Sequence, residues 1–198
     1  MRPVLVIFVK EPRPGRVKTR LARDVGHVAA ARWYRTQTAR LLRRVGRDPR
    51  WHTVLAVSPD AEGMASRVWP PGIARWPQGR GGLGARMARA LRAHGPGPVA
   101  IIGSDVPGID AAALTRAFQA LAGADAAIGP SPDGGYWLVG LRHGGRVPAG
   151  LFDAVRWSTE HARADTLASF GDRRVALTDM LADVDNAADL ASLGLPRP

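Results

Sequence analysis

Directly after its first apolar run, the chain carries a loop rich in basic residues. The run over residues 4–9 leads into KEPRPGRVKTR, which contains Gly15, Arg16, Lys18 and Arg20. Ammonium and guanidinium groups bind phosphate oxygens, a glycine lets the backbone approach a ligand closely, and the amides of a following helix add partial positive charge. The loop therefore predicts a phosphate-binding site. The alternative is a solvent-exposed turn in which Arg20 pairs on the surface.

Lysine occurs at only two positions in the chain, and both belong to this region. They are Lys10 and Lys18, whereas every other basic residue apart from histidine is arginine. A compact ammonium acts as a point charge on phosphate where the planar fork of arginine does not fit. The placement favours a chemical requirement for lysine here, although two residues can also fall together by chance.

A single aspartate follows the most aliphatic stretch of the chain. In IIGSDVPGID, Asp105 lies three residues beyond the predicted strand over residues 98–102. A carboxylate at this place suits a hard cation such as Mg²⁺ or Mn²⁺ that also contacts diphosphate oxygens. The structural alternative is an Asx turn or a helix cap, but Asp110 is the better cap for the next helix. Asp105 is therefore predicted to be free to bind a cation.

A second acidic group lies near the C-terminus, in LADVDNAADL. The alternation of Asp183, Val184 and Asp185 in extended backbone places both carboxylates on one face, as a second set of cation ligands requires. Capping of the last helix by Asp185 or Asn186 is the competing interpretation. For Asp189 we expect a structural role.

Two glycine-containing loops complete the candidate residues. The stretch 78–87, QGRGGLGARM, enters a predicted helix and can approach a base or ribose closely, although a flexible surface loop fits it nearly as well. The stretch 129–140, GPSPDGGYWLVG, has Asp133 at a turn between two strands, which is also an ordinary hairpin signal. Tyr136 and Trp137 follow, and strand alternation puts one of them in the core without indicating which. Trp157 either anchors a loop over the site or packs in the core.

The elements that must position these residues alternate between strand and helix. Strands are predicted over 3–9, 53–57, 73–76, 98–102, 125–129, 135–141 and 173–177, and helices over 19–46 with a break near Gly26, then 61–67, 84–94, 110–121, 160–170 and from Asn186 onward. This pattern predicts an α/β fold with a mostly parallel mixed sheet flanked by helices. Ligands of such sheets bind beyond the carboxyl ends of the strands, where the residues above lie.

Length and composition limit the number of domains and the kinds of site that the chain can form. The 198 residues favour one domain over residues 1–198, and the absence of cysteine excludes thiolate nucleophiles and thiolate metal sites. The net charge of +11 fits a nucleic-acid footprint, but the arginines are scattered and no five-residue run is uniformly basic, which favours a solvated surface and an anionic small substrate. The opening apolar run is too short for a signal segment or a membrane span, so a soluble cytoplasmic protein without specific nucleic-acid binding is expected.

Taken in order, the motifs produce a resemblance that covers nearly the whole chain. KEPRPGRVKTRLA, QGRGGLGARM, IGSDVPGI, GPSPDGGYWLVGL, the WST of residues 157–159 and DVDNAADL resemble the DUF2064 family of bacterial transferases. The resemblance implies the GT-A fold of the nucleotide-diphospho-sugar transferase superfamily. It also implies similarity to 2-phospho-lactate guanylyltransferase and, more distantly, to molybdenum cofactor guanylyltransferase. Family members are commonly labelled glycosyltransferases, some of them linked to arsenosugar biosynthesis.

The resemblance also implies roles for particular residues. It makes Lys18 and Arg20 catalytic ligands of nucleotide phosphates, Asp105 the principal carboxylate for Mg²⁺ or Mn²⁺, and Asp185 the second metal-side residue. The wider nucleotide-binding set is Lys10, Gly15, Arg16, Lys18, Arg20, Gln78, Leu83, Gly84 and Arg86, and the acceptor-side set is Asp133, Gly134, Gly135 and Tyr136. Three positions depart from the family pattern: Gly82, Ala85 and Gly108 stand where acids are usual, which puts an acid-assisted role of the glycine-rich loop in doubt.

Two reactions fit these residues. In nucleotidyl transfer, a phosphate or hydroxyl acceptor attacks the α-phosphorus of a nucleoside triphosphate and pyrophosphate leaves; in glycosyl transfer, a hydroxyl acceptor attacks the anomeric carbon of a nucleotide sugar. The charge of the opening loop favours the first, because a triphosphate presents more negative charge than a sugar diphosphate. A catalytically silent nucleotide- or nucleic-acid-binding module is the third hypothesis.

Overall fold

A seven-stranded sheet forms the centre of the computed structural model, which describes residues 1–198. The strands are β1 (Val4–Lys10), β2 (His52–Ser58), β3 (Ala74–Pro77), β4 (Val99–Ile102), β5 (Ala126–Pro130), β6 (Tyr136–Leu141) and β7 (Val175–Leu177). The helices are α1 (Leu21–Val25), α2 (His27–Val45), α3 (Asp60–Ala65), α4 (Leu83–Ala93), α5 (Ala111–Gly123), α6 (Ala162–Ser169) and α7 (Ala187–Ser192), with a 3₁₀ turn over Gly144–Arg146. The predicted elements are all present, and no predicted end differs from the observed one by more than two residues.

The sheet order is β3-β2-β1-β4-β6-β5-β7. β1 pairs in parallel with β2 and β4, whereas β6 runs antiparallel to both β4 and β5. The predicted fold class is therefore confirmed: a mostly parallel mixed sheet in an α/β arrangement. Because β6 is reversed, its first residue lies at the same edge as the last residues of β1 and β4.

Apolar side chains cover both faces of the sheet. Alternate residues of β1 enter opposite layers: Leu5 and Ile7 pack in one cluster, while Val6 packs in the other. Helices α2 and α5 cover the first face through residues such as Leu41 and Leu114, and α4 and α6 cover the second. Apolar side chains thus fill both faces of the sheet, and the polar candidate residues lie at or beyond the ends of the strands. No helix is both long enough and apolar enough to cross a bilayer.

A smaller cluster brings the C-terminal segment to the opening loop. Leu21 and Ala22 of α1 pack against Val184 and Leu190. The predicted break at Gly26 separates α1 from α2, and its φ of 84° lies in the left-handed region that glycine adopts without strain. Residues on either side of Leu21 and Val184 are therefore neighbours, although more than 160 positions separate them in sequence.

Candidate active site

A cleft of about 850 Å³ lies at the carboxyl edge of the sheet. It is lined by the ends of β1 and β4, the start of β6, the N-terminal part of α4 and the segment before α7. The predicted site residues among its walls are Lys10, Lys18, Arg20, Gln78, Leu83, Arg86, Asp105, Asp133, Gly135, Tyr136 and Asp185. Side chains predicted from separate motifs thus converge in one cavity.

An ion network lies in the cleft. Lys18 Nζ lies 2.7 Å from Asp105 Oδ2 and 2.8 Å from Asp185 Oδ1, and only 7% of the Lys18 side chain is exposed. Arg20 Nη1 donates to the other oxygen of Asp185 at 2.7 Å. Burial alone lowers the pKa of Lys18, but the two carboxylates outweigh burial and raise that pKa above its ordinary value. Lys18 therefore stays charged.

The backbone fixes the start of this network. Lys18 has a φ of 45°, in the left-handed region, and its carbonyl accepts a hydrogen bond from Ala22 N at 2.9 Å. Backbone strain of this kind is often found at functional sites. Tyr34 of α2 supports the same region, because its hydroxyl accepts from Lys10 N at 2.9 Å and lies 2.8 Å from Ser104 Oγ. Tyr34 and Ser104 carry no sequence signal for this role, since Tyr34 reads as an ordinary apolar-face residue of α2.

Backbone contacts and caps hold the C-terminal acids. The chain after β7 runs along the sheet edge and donates from Val184 N to Asp105 O at 3.4 Å. Asp189 Oδ2 accepts from Asp185 N at 2.7 Å and from Asn186 N at 2.9 Å, and Asn186 caps α7. The expected structural role of Asp189 is confirmed, and its capping leaves the Asp185 side chain free to face the cleft.

Asp183 adds a further carboxylate to the cleft and makes no hydrogen bond or ion pair. Burial and the neighbouring charge of Asp105 raise its pKa to about 6, although Lys18 acts in the opposite direction. Asp185 and Asp133 contribute to the same rise. The Asp183 carboxyl therefore holds its proton more tightly than a free aspartate does.

The raised pKa of Asp183 predicts how stability depends on pH without metal. Between pH 3.8 and about 6 the folded protein holds this proton more tightly than the unfolded chain, so the free energy of unfolding falls as pH rises. Asp183→Asn removes this term. Because the group is partly exposed, we expect the variant to gain about 1–2 kcal/mol over the wild type at pH 7 and almost nothing at pH 4. Urea unfolding in a chelator at both pH values measures the difference, and equal gains would contradict the assignment.

The side chains of the cleft provide only some of the ligands that a divalent cation needs. No group of three carboxylate or imidazole side chains forms a ready-made metal site in the chain. Two facts favour a cation nevertheless. Asp105 and Asp185 already share one positive group, the ammonium of Lys18, and Mg²⁺ is commonly held by one or two carboxylates plus substrate phosphates and water. The residues fit an ion whose remaining ligands come from the substrate.

The glycine-rich loop is fixed by Gln78. Its side-chain amide donates to Ala56 O at 2.8 Å and Val9 O at 3.3 Å, while its Oε1 accepts from Arg86 Nη1 at 3.0 Å. Gln78 is 3% exposed, and its hydrogen bonds join β1, β2 and α4 at the wall of the cleft. These bonds orient the Arg86 guanidinium, and the nucleotide-binding role assigned to Gln78 stays a prediction.

An aromatic wall forms the opposite part of the cleft. Tyr136 lines the cavity and Trp137 lies in the core, where its indole donates to Asp179 O at 2.8 Å. Trp157 packs edge-on against Tyr136 and also contacts the Phe152 ring. Trp157 therefore serves both suggested purposes, because it lines the cleft and is anchored by packing.

Four predicted site residues lie outside the cleft walls. Arg16 forms an ion pair with Glu62 at 2.9 Å, and Gly15 lies in the same outer turn. Gly84 is buried beneath Phe152 and Trp157, and Gly134 lies against the carbonyl of Glu160. Their positions indicate that they shape the surrounding loops, and the binding roles assigned to them stay predictions.

Solved structures similar to this chain share its fold. A "putative nucleotide-diphospho-sugar transferase" from Desulfovibrio desulfuricans G20 is 29% identical with a TM-score of 0.82, over 98% of this chain and 87% of that one. Rv0371c from Mycobacterium tuberculosis H37Rv, in complex with manganese, is 18% identical with a TM-score of 0.56, over 98% and 97%. The 4-diphosphocytidyl-2C-methyl-D-erythritol synthase of Anaerococcus prevotii DSM 20548 is 13% identical with a TM-score of 0.59, over 96% and 95%.

Sequence comparisons place the chain in a family. No curated protein matches it. The model of DUF2064, described as an uncharacterized protein conserved in bacteria, matches residues 41–159, which include Asp105 and the turn at Asp133. This match spans more than half of the chain and agrees with the motifs that lie between residues 41 and 159. The chain belongs to the DUF2064 family.

Proposed function

We propose that this protein is a metal- and nucleotide-dependent transferase, and specifically a nucleotidyltransferase. One observation carries the proposal: Lys18, Arg20, Asp105 and Asp185, from three distant stretches of sequence, meet in one cleft at the carboxyl edge of the sheet. Cations and carboxylates together at this edge suit a phosphate ligand and its counter-ion. The fold shared with a diphosphocytidyl synthase supports the same conclusion.

In the proposed reaction, the basic side chains hold the phosphates of a nucleoside triphosphate. Lys18 and Arg20 contact outer oxygens, and Arg86, oriented by Gln78, adds a third guanidinium or ammonium group to the same cleft. Preorganised charges of this kind stabilise a departing pyrophosphate more than water does. Lys10 lines the cleft without an ion pair and is available to the same ligand.

Asp105 and Asp185 would hold Mg²⁺ or Mn²⁺. When bound, this ion neutralises charge on the phosphate oxygens of the nucleotide. Tyr136 and Trp157 form the aromatic wall of this space, and Asp133 and Gly135 border the part that an acceptor would enter. An acceptor hydroxyl or phosphate placed there attacks the α-phosphorus, and pyrophosphate leaves.

Glycosyl transfer from a nucleotide sugar to a small acceptor is the second candidate. The similarity to the Desulfovibrio protein, whose name specifies a nucleotide-diphospho-sugar substrate, favours it. The same phosphate-binding groups would then hold a nucleoside diphosphate as the leaving group. Nucleotidyl transfer remains our choice because four basic side chains line the cleft, and a triphosphate offers more negative charge to bind them.

A thermal-shift panel separates the two reactions. The protein is heated with Mn²⁺ and each of several nucleoside triphosphates or nucleotide sugars, because a ligand that binds the native state raises Tm. We expect selective stabilisation by a triphosphate, only with metal present. Stabilisation by nucleotide sugars alone would replace the nucleotidyl assignment by the glycosyl one.

Salt dependence distinguishes both reactions from a nucleic-acid-binding module. A chain with a net charge of +11 binds DNA non-specifically at low salt, and that binding weakens steeply as salt rises. We expect triphosphate stabilisation to persist at 200 mM salt. Stabilisation by DNA but by no mononucleotide at that salt would overturn the proposed function.

A further inference from the structure

We propose that Lys18 is an exchangeable counter-ion of the metal site, an inference that rests on the proposed function. Its ammonium holds Asp105 and Asp185 together before a divalent cation binds. When the cation arrives, the ammonium leaves these carboxylates and contacts a nucleotide phosphate. Lys18 would thus serve two partners in turn.

The Lys18 ammonium and a bridging metal ion cannot occupy the space between Asp105 and Asp185 at the same time. Lys18 Nζ lies 2.7 Å from Asp105 and 2.8 Å from Asp185, so it fills the space that a bridging ion would take. Two positive charges at contact distance in a partly buried site repel each other strongly. A metal ion that bridges Asp105 and Asp185 therefore displaces the ammonium.

The main chain at both acids is held without the Lys18 side chain. Val184 N donates to Asp105 O, and Asp189 accepts from Asp185 N, so the backbone positions of the two acids do not depend on the lysine. The Lys18 backbone is itself held by its bond to Ala22. Only the four-carbon side chain of Lys18 has to move, and such a stem rotates readily.

This exchange couples the metal to the nucleotide. A divalent ion alone has to break two ion pairs of a side chain that is only 7% exposed, so its affinity is reduced. A phosphate gives the released ammonium a new partner and removes that cost. The metal and a triphosphate should therefore bind with positive coupling, each raising the affinity for the other.

Mn²⁺ titration followed by electron paramagnetic resonance tests the exchange without nucleotide. We expect Lys18→Met to bind Mn²⁺ at least about tenfold more tightly than the wild type, a change that corresponds to about 1.4 kcal/mol. Lys18→Arg keeps a cation between the carboxylates and should retain the low affinity. Lys10→Met controls for the loss of one positive charge from the cleft, since Lys10 makes no ion pair there, and it should raise the Mn²⁺ affinity less than Lys18→Met does.

Amine labelling of the unmodified protein gives a second readout that needs no variant. Lys10 and Lys18 are the only lysines in the chain, so mass spectrometry after acetic anhydride treatment reports both separately. We expect saturating Mn²⁺ to raise the labelling of Lys18 several-fold relative to Lys10. Adding a non-hydrolysable triphosphate should then lower it again.

Either of two results would overturn the exchange: equal or weaker Mn²⁺ binding by a folded Lys18→Met, or labelling of Lys18 that does not rise with Mn²⁺. Absence of Mn²⁺ binding in both proteins would also overturn it. The proposed function has a separate test, since triphosphates would still raise the Tm of the wild type if only the exchange is wrong. Loss of that shift would identify failure of the function itself.

Discussion

Asp105→Asn is expected to abolish the metal-dependent stabilisation by a nucleoside triphosphate. For the wild type, a ligand at 100 times its Kd contributes about 2.7 kcal/mol, which raises Tm by roughly 5–10 °C in a chain of this size. An amide provides one neutral oxygen in place of a carboxylate, so the ion loses its principal charged ligand. Turnover, measured as pyrophosphate release once an acceptor is known, should fall on the order of 10³-fold.

The fold of this variant should survive, because Lys18 keeps its second partner, Asp185. Asp110→Asn is the matched control. Asp110 lies five residues after Asp105 and caps the N-terminus of α5, where asparagine caps equally well. It should leave both Tm and the ligand-dependent shift unchanged. A shift that persists at full size in Asp105→Asn would remove Asp105 from the metal site.

Gly134→Ala should be the most destabilising small substitution near the cleft. Gly134 has a φ of +83°, and a Cβ there would lie 2.1 Å from the carbonyl oxygen of Glu160. The obstacle is backbone, which cannot rotate away as a side chain can. We expect the free energy of unfolding to fall by about 3 kcal/mol or more, from left-handed strain and overpacking together.

Gly171→Ala separates these two causes. Gly171 also has a positive φ, +61°, but a Cβ there meets no atom within 4 Å. Its loss should be only about 1 kcal/mol. Urea unfolding followed by circular dichroism compares the variants, and equal losses would show that contact with Glu160 does not hold the turn.

The elements of the fold were predictable because their signals are local. Aliphatic runs identified the strands, Gly26 marked the helix break, and Asp110 was recognised as a cap from its position before α5. The position of Asp105 followed from the general rule that ligand-binding residues follow parallel strands. Local signals were therefore sufficient to predict the strands and the position of Asp105 at the carboxyl edge of the sheet.

Pairings between distant segments were not predictable in the same way. The contact of Lys18 with Asp185 spans 167 positions and depends on the packing of Val184 against α1. The Gln78 amide also joins two strands, a contact that no single-segment pattern reveals. Such contacts are set by the tertiary fold.

The structure shows which of the two adjacent aromatic residues at the start of β6 enters the core. Either Tyr136 or Trp137 had to enter the core, and Trp137 does so because Gly129 leaves room for its ring. A Cβ at Gly129 would lie 2.5 Å from the indole. The signal was the glycine in the neighbouring strand, and its meaning depends on strand pairing.

The Gly108 departure from the family pattern also has a structural counterpart. The Leu181 side chain covers Gly108, with Cδ2 only 3.2 Å from where a Cβ would lie. A side chain there would require the end of Leu181 to shift slightly. The space beside Gly108 is therefore closed by an apolar side chain.

Crystals grown with Mn²⁺ and a non-hydrolysable nucleoside triphosphate, with data collected at a wavelength where manganese scatters anomalously, test the central proposal most directly. We expect one manganese peak at about 2.1–2.2 Å from an Asp105 oxygen, with triphosphate oxygens in contact with Lys18 and Arg20. A nucleotide bound outside this cleft, or a manganese ion away from both Asp105 and Asp185, would contradict the proposal.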